Sequence, residues 1–177
     1  MNIQSWSGDL TTRTGFKFHV RPISSNDEPA LAELFTHVTP DDLRFRFLTG
    51  INIVGHNRLA ALIDVDHRQK ENFLALAEDG TTVIATAMLA CDDAMETGEV
   101  AISIRSDYKG RGISWKLFEY VARFAEASGV TTLQSIESYA NHAAIELERD
   151  MGFTARPYPG DATLVLVERK LPLPVDA

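Results

Sequence analysis

A short glycine-containing turn carries the strongest chemical signal in this sequence. Residues 108–115 read Tyr-Lys-Gly-Arg-Gly-Ile-Ser-Trp, after a strand-like apolar stretch and at the start of a helix-like one. Free backbone N–H groups and the positive end of the helix dipole meet at such a turn, and glycines let the backbone approach a diphosphate closely. Arg105, Lys109 and Arg111 concentrate positive charge there. The pattern favours an anion site over a purely structural turn, and Trp115 excludes the dinucleotide fingerprint because it occupies the third glycine position.

Glu99 is the candidate for proton transfer, because it opens the apolar strand that leads into this turn. An amine such as that of lysine has a pKa of about 10.4 and attacks a carbonyl carbon only in its neutral form. A carboxylate held near that carbon could accept the proton, directly or through one water. The residues alone support an ordinary strand-end carboxylate in water equally well.

Metal and nucleophile chemistry are not indicated. None of the five histidines has metal-helix spacing with a carboxylate, and no Gly-x-Ser-x-Gly elbow is present. The single cysteine, Cys91, excludes an intrachain disulfide, and we expect it to be a buried strand residue. We therefore predict no metal ion.

Composition sets the class of protein. The chain has 177 residues, 45% of them hydrophobic and 24% charged, which is typical of one globular domain. Its formal net charge of −8 argues against general nucleic-acid binding. No apolar run is long enough to span a bilayer, and the first ten residues lack Lys, Arg and an apolar core, unlike a signal peptide. We expect a cytoplasmic protein, monomeric or homodimeric, with no membrane or nucleic-acid partner.

The elements that must position these residues alternate irregularly between strand and helix. Alternating or apolar runs predict strands over Phe16–Pro22, Asn72–Ala77, Thr82–Ala90, Glu99–Ile104, Val130–Ile136 and Thr163–Val167. Helical spacing and capping residues predict helices over residues 31–38, 40–48, 58–63 and 141–151, and a long helix that starts at Ile113 and is closed by Gly129. Asp79-Gly80 predicts a two-residue hairpin turn. The order implies a mixed α/β fold with a single, mostly antiparallel sheet flanked by helices, not a doubly wound sheet.

The domain plan follows from the same pattern. We expect a flexible N-terminal segment over residues 1–14, one domain over residues 15–171 and a short Pro-rich tail over residues 172–177.

Two segments resemble the GNAT N-acetyltransferases. Residues 108–114 are similar to the acyl-CoA pyrophosphate loop of that family, with Lys109 and Ser114 as departures from the pattern Gln/Arg-x-x-Gly-x-Gly/Ala. Residues 141–153, Asn-x-x-Ala-x-x-Leu-x-x-x-x-Gly-Phe, are similar to its closing helix motif. Together with the strands around them, they extend the resemblance over roughly residues 16–167. The resemblance implies a GNAT-like fold, a sheet that splits near the cofactor cleft, and acetyl-CoA as cosubstrate.

Further segments are similar to the bacterial protein lysine acetyltransferases that act on acetyl-CoA synthetase. Residues 39–47, Thr-Pro-Asp-Asp-Leu-Arg-Phe-Arg-Phe, resemble their Ser-Pro-Glu-Ser…Leu-Arg-Phe-Phe segment. Residues 62–67, Leu-Ile-Asp-Val-Asp-His, resemble their Thr-Asp-Ile-Asp-Tyr segment. Residues 98–102, Gly-Glu-Val-Ala-Ile, resemble their Ala-Glu-Phe-Ala strand. Those enzymes usually carry a regulatory domain, for which we expect no room in this chain.

The resemblance implies a role for each candidate residue. Glu99 would be the general base. The cosubstrate would be bound by the strand and turn residues Ile102, Ser103, Ile104, Lys109, Gly110, Arg111, Gly112, Ile113, Ser114 and Trp115, and by Asn141. The amine substrate would be bound by Phe45, Arg46, Asp64 and His67. Each of these has a plainer alternative: Asn141 as a helix cap, Arg46 as a solvated charge, and Asp64 and His67 as turn residues.

Glu148 occupies the position at which many family members have a tyrosine that reprotonates the leaving thiolate. We expect Glu148 to be an exposed helix carboxylate beside Arg149, with no dedicated acid in its place. A thiol has a pKa of about 8.5, so water could serve as the proton source.

The leading hypothesis is an acetyl-CoA-dependent N-acetyltransferase that acts through a ternary complex. A protein lysine is the first acceptor considered, and a small amine is the second. The alternative from another class is a catalytically idle acyl-CoA-binding sensor or interaction module, which the absent tyrosine and Ser114 favour. A nucleotide-binding α/β domain is a distant third.

Overall fold

One twisted sheet runs through residues 1–172, the part of the chain that the computed structural model describes. Within that part it has eight strands: β1 Gly8–Thr11, β2 Lys17–Pro22, β3 Lys70–Leu76, β4 Val83–Cys91, β5 Thr97–Ile104, β6 Thr132–Ser138, β7 Thr154–Pro157 and β8 Leu164–Lys170. The strand order is β1-β2-β3-β4-β5-β6-β8-β7. Every neighbouring pair is antiparallel except β5 and β6, which are parallel. The predicted mixed, mostly antiparallel sheet is confirmed.

Five α-helices lie in residues 1–172, together with short 3-10 turns at Ile3–Ser5, Ser25–Asp27 and Ser106–Tyr108. The helices are α1 Glu28–Thr36, α2 Pro40–Phe47, α3 His56–Ile63, α4 Ile113–Ala127 and α5 His142–Asp150. The start of α2 follows local rules, since the backbone N–H of Asp42 donates to the Thr39 hydroxyl at 3.1 Å and Pro40 takes the first helical position.

The core has two layers, one on each face of the sheet. On β3, Phe73 and Ala75 pack into the layer that contains α4, whereas Leu74 and Leu76 pack into the layer that contains α1, α2 and α3. Successive side chains of a strand point to opposite faces, so a strand covered on both sides is apolar throughout. This explains why the apolar run of β3 lacks alternation.

The hairpin between β3 and β4 is longer than predicted. The N–H of Ala77 donates to the carbonyl of Thr82 at 2.9 Å, so four residues separate the last paired positions. Asp79 closes this turn by accepting from the backbone N–H groups of Thr81 and Thr82, both at 2.9 Å. Gly80 has a φ of 72° in it. The pairing of the two strands is as predicted, but the two-residue turn is wrong because Asp79 caps the loop internally.

Residues 1–14 contain a strand that the sequence analysis did not predict. β1 pairs antiparallel with β2, so the sheet begins at Gly8 rather than after residue 15. The indole of Trp6 packs edge-on against Tyr120 and Phe124 of α4, at centroid distances of 5.6 and 5.1 Å. The segment is therefore packed onto the fold. Of the expected tail, only Pro172 lies among the described residues.

The sheet opens between β5 and β6. These strands pair only from Thr97 opposite Thr132 to Glu99 opposite Gln134. Beyond Glu99, β5 continues to pair with β4 as far as Ile104, whereas β6 continues with β8 as far as Ser138. The edge of β5 that faces away from β4 therefore has no strand partner over residues 100–104, and a cleft forms there.

Candidate active site

The cleft has a volume of about 250 Å³ and lies between the two diverging strands. One wall is β5 from Glu99 to Ile104, and the other is formed by β6 and α5. The C-terminal half of α2 and the start of α4 complete it. Of the residues proposed from sequence, those that line the cleft are Phe45, Arg46, Glu99, Ile102, Ser103, Ile104, Lys109, Ser114 and Asn141.

Glu99 is the last residue of β5 that pairs with β6, and its side chain is half-buried in the cleft. Burial raises the pKa of its carboxyl above the ordinary value, and the charge of Glu137 adds to that rise. The guanidinium of Arg46 opposes it and lowers the pKa. A carboxylate in this position can accept a proton from a group that enters the cleft.

Arg46 contributes a buried positive charge to the cleft. Its Nη2 lies 3.6 Å from the Met88 sulfur, and its Nε has no hydrogen-bond partner among the described residues. Burial lowers the pKa of this guanidinium, while Glu99 and Glu137 raise it. Arg46 is therefore part of the cleft rather than a solvated charge.

Phe45 and Phe47 separate onto two faces of α2. Phe45 lines the cleft, whereas the ring of Phe47 packs against Phe35 at 5.7 Å in the core layer of α1 to α3. Residues two apart on a helix do not share a face, so one aromatic ring can serve the cleft while the other anchors α2.

The glycine turn leads into α4 without a side-chain cap. Gly110 and Gly112 have φ values of 77° and 81°, and Gly112 is the N-cap residue of α4, with no side chain to bond the first helical amides. Lys109 makes an ion pair with Asp42 at 2.5 Å. The guanidinium of Arg111 stacks on Tyr108 at 4.5 Å. The turn therefore offers backbone N–H groups as its main anion ligands.

The N-terminal hairpin supports this turn from behind. The Thr14 hydroxyl donates to the carbonyl of Arg111 at 2.8 Å. A Cβ built on Gly112 would lie 3.2 Å from the Cβ of Thr12, so a side chain there would press against this segment. Arg13 lies over the Trp115 ring at 4.1 Å, and Trp115 donates to Glu119 at 3.0 Å.

Two of the residues assigned to the cosubstrate thus point elsewhere. Trp115 packs beside the N-terminal hairpin, and Ile113 is 1% exposed in the core. Only their backbone groups belong to the turn. The hairpin itself was missed by the sequence analysis.

Asn141 caps α5 and lines the cleft. Its Oδ1 accepts from the N–H of Ala144 at 3.4 Å, as an N-cap of α5, and its Nδ2 donates to Glu137 at 3.1 Å. The Ser135 hydroxyl donates to the other oxygen of Glu137 at 2.7 Å. The amide therefore lies at the wall of the cleft with its orientation fixed by Glu137.

Glu148 is buried, and the expectation of an exposed carboxylate is wrong. The residue is 3% exposed, lines the cleft from α5, and its Oε2 has no hydrogen-bond partner among residues 1–172. Burial, followed by the charge of Glu137, raises the pKa of Glu148 to about 9. A signal existed: Glu148 follows Ile145 by three residues, which places both on the buried face of α5.

Asp64 and His67 do not reach the cleft. They line a separate groove of about 800 Å³ between the end of β2 and α3. His67 Nδ1 pairs with the fully buried Glu71 at 2.8 Å, and burial raises the pKa of that carboxyl. Asp64 and His67 therefore lie apart from Phe45 and Arg46, the other residues proposed to bind the substrate.

Among the residues that the structure describes, no group of three or more His, Cys, Asp or Glu side chains could hold a metal ion. Cys91 ends β4 half-buried rather than buried, and burial raises the pKa of its thiol to about 11. No helix in residues 1–172 is both long and apolar enough to span a membrane.

Comparison with known proteins decides the family. Residues 34–153 match the acetyltransferase (GNAT) family. The chain belongs to this family. It is 30% identical over 150 residues to Acetyltransferase PA5475 of Pseudomonas aeruginosa, an alignment that covers 83% of this chain and 80% of the relative.

Solved structures share the GNAT fold. The GNAT domain of S. lividans PAT superposes with a TM-score of 0.88 at 22% identity, covering 97% of this chain and all of that domain. Spermidine N-acetyltransferase from Vibrio cholerae, solved with CoA and spermine, superposes with a TM-score of 0.69 at 13% identity, covering 86% of this chain and 95% of that one.

GNAT enzymes take their acetyl group from acetyl-CoA, and the cleft fits that cosubstrate. The unpaired edge of β5 can bond an extended arm, and the uncapped start of α4 can bond a diphosphate. The buried Ser103 hydroxyl has no partner among the described residues and lines the cleft. The protein is an acetyl-CoA-dependent N-acetyltransferase.

Proposed function

We propose that this protein transfers the acetyl group of acetyl-CoA to a primary amine, with a protein lysine as the first substrate class. The amine would attack the thioester directly in a ternary complex, with Glu99 as general base. One observation carries the proposal: Glu99 stands where β5 and β6 part, half-buried beside the unpaired edge of β5.

Each wall of the cleft has its own task. Backbone N–H groups of Ile102 to Ile104 would bind the pantetheine arm and face the oxyanion that develops on the carbonyl. The turn from Lys109 to Ser114 would hold the diphosphate. Glu99 would take the proton of the attacking amine, because burial raises the pKa of its carboxyl and so makes it a stronger proton acceptor, while the guanidinium of Arg46 opposes that rise.

The charge of the cleft supports an amine acceptor. The carboxylates of Glu99 and Glu137 share the cleft with the guanidinium of Arg46, so negative charge prevails while Glu148 keeps its proton. An ammonium group is attracted to such a cleft before it loses its proton. The same argument holds for a small amine, the second substrate class. The cytoplasmic location and the monomeric or dimeric state stay predictions.

Labelled acetyl-CoA tests the proposal, with protein extracts and small amines as separate acceptor pools. We expect label on protein lysines and release of free thiol that depends on the acceptor. Label found only on small amines would show that the acceptor is a small amine and not a protein lysine. Binding of CoA without any transfer would favour the idle sensor.

Glu99→Gln then tests the base. General-base catalysis is worth about 10²–10⁴-fold, so kcat at neutral pH should fall by that order while CoA affinity stays. The decrease should shrink at high pH, where more of the amine is already neutral. Glu96→Gln, an exposed carboxylate just before β5, is the matched control. A Glu99→Gln enzyme with the kcat of the wild type would show that Glu99 is not the base.

A further inference from the structure

The cleft holds a second carboxyl group that the proposed reaction does not use. Glu148 lines the cleft from α5, across from β5, and only 3% of the residue is exposed. Its Oε2 has no hydrogen-bond partner among the described residues. An ionised carboxylate that is buried with one oxygen unpartnered is costly, so the neutral acid is the form that this position favours.

The neighbours of Glu148 enforce the same state. Glu137 accepts one hydrogen bond from the Ser135 hydroxyl and one from the Asn141 amide, at 2.7 and 3.1 Å. Burial raises the pKa of the adjacent Glu148, and the negative charge of Glu137 beside it adds to that rise, so Glu148 retains its proton. The other charged groups that line this cleft are Glu99, Arg46 and the Lys109–Asp42 ion pair.

Glu99 and Glu148 differ in burial and in charged neighbours on the two walls of one cleft. Burial raises the pKa of the half-buried Glu99 as well, but the guanidinium of Arg46 opposes that rise. Glu148 is fully buried and faces the negative charge of Glu137, which favours its protonated form. Two carboxyl groups that differ in this way can serve as the base and the acid of a single reaction.

We propose that Glu148 is the proton donor to the leaving thiolate, because its buried carboxyl lines the wall that faces the unpaired edge of β5. The proposal rests on the acetyl transfer proposed above, in which an arm bonded to that edge lies between β5 and α5. It replaces the expectation that water alone supplies this proton.

The proposed acetyl transfer moves two protons, one on each wall of the cleft. The amine nitrogen forms a bond to the acetyl carbon, the carbon–sulfur bond breaks, and its electron pair stays on sulfur. Glu99 takes one proton from nitrogen, and Glu148 gives its proton to sulfur, so that CoA leaves as the thiol. Transfer of one proton through solvent from Glu99 to Glu148 restores both groups.

Carbon-13 NMR tests the protonation state without any cosubstrate. In protein labelled at the glutamate side-chain carboxyls, one resonance should titrate far above the ordinary range for glutamate, and Glu148→Gln should remove it. Glu146→Gln, an exposed neighbour on α5, should leave that resonance in place. If the resonance that Glu148→Gln removes titrates in the ordinary range, the inference is overturned.

The pH dependence of kcat tests the chemistry. A thiol is a good leaving group, so we expect Glu148→Gln to lower kcat by roughly ten- to a hundredfold, at the low end for acid catalysis. The wild-type kcat should fall at high pH as Glu148 loses its proton, and this fall should be absent from Glu148→Gln. In Glu137→Gln the fall should begin at lower pH, because the charge that holds the proton on Glu148 is gone.

If Glu148 had only a structural role, its replacement by glutamine would not remove the high-pH fall of kcat. If Glu148→Gln keeps both the kcat and the high-pH fall of the wild type, Glu148 is not the donor, while the proposed function stands. If the wild type transfers acetyl to no amine, the proposed function itself fails and this inference falls with it.

Discussion

Replacing Glu148 by glutamine should make the folded protein more stable, and increasingly so as the pH rises. In the folded state the carboxyl of Glu148 has a pKa of about 9. In the unfolded chain a glutamate has a pKa of about 4.3. Between these values the folded state binds more protons than the unfolded state, so the stability of the wild type falls with rising pH.

The size of the effect follows from the same two values. Each pH unit in this window costs the wild type at most about 1.4 kcal/mol, since one proton differs between the two states. From about pH 4.3 to pH 7 the sum is at most about 3–4 kcal/mol. Glutamine has no proton to retain and fits the same space, so Glu148→Gln lacks this loss.

Urea unfolding at several pH values between 5 and 8 measures the difference between the two proteins. The free energy of unfolding of Glu148→Gln minus that of the wild type should increase by about 1 kcal/mol for each pH unit. Glu146→Gln, exposed on the same helix, should show no such trend. A difference between Glu148→Gln and wild type that stays constant across this range would refute the buried, protonated carboxyl.

Three further changes test other parts of the site and the core. Arg46→Met removes the charge that lowers the pKa of Glu99, so the low-pH limb of the kcat/KM profile should move to higher pH; an unmoved limb contradicts this. Gly110→Asp puts a negative side chain on the diphosphate turn and should weaken CoA binding at least tenfold by calorimetry, about 1.4 kcal/mol. Gly80→Asp, at a remote turn with a similarly positive φ of 72° and equally open space, should leave that affinity unchanged. Thr86→Val removes the hydroxyl that donates to the buried Oδ1 of Asn72 at 2.5 Å. It should lower the free energy of unfolding, measured with urea, by about 1–2 kcal/mol.

Local signals explain most of what the sequence predicted correctly. The strand, glycine turn and helix around Gly110 and Gly112 are encoded within a few residues, and so is the cap of α2 at Thr39. The splitting of the sheet was expected only through the resemblance, because it depends on how far two strands distant in sequence pair. In the structure that pairing stops at Glu99.

The errors have physical causes. β1 is a short strand of four residues, of which only Leu10 packs against the core, so it carries little periodicity of its own. Glu148 was assigned to solvent because carboxylates are seldom buried, yet a retained proton removes the charge that makes burial costly. Asp64 and His67 line a groove apart from the cleft, and a local resemblance does not reveal which groove a loop faces.

The packing of the N-terminal segment against α4 gives the protein an intrinsic fluorescence signal for ligand binding. Both tryptophans of the chain lie where the N-terminal segment contacts α4: Trp6 packs against Tyr120 and Phe124, and Trp115 in the first turn of α4 lies under the guanidinium of Arg13. A ligand that engages the start of α4 changes the surroundings of the Trp115 indole, so its arrival would be visible as a change of intrinsic fluorescence in unmodified protein. A peptide tag fused to Met1, whose sulfur accepts from the Trp6 indole N–H, would change the surroundings of that tryptophan and so the fluorescence of the free protein.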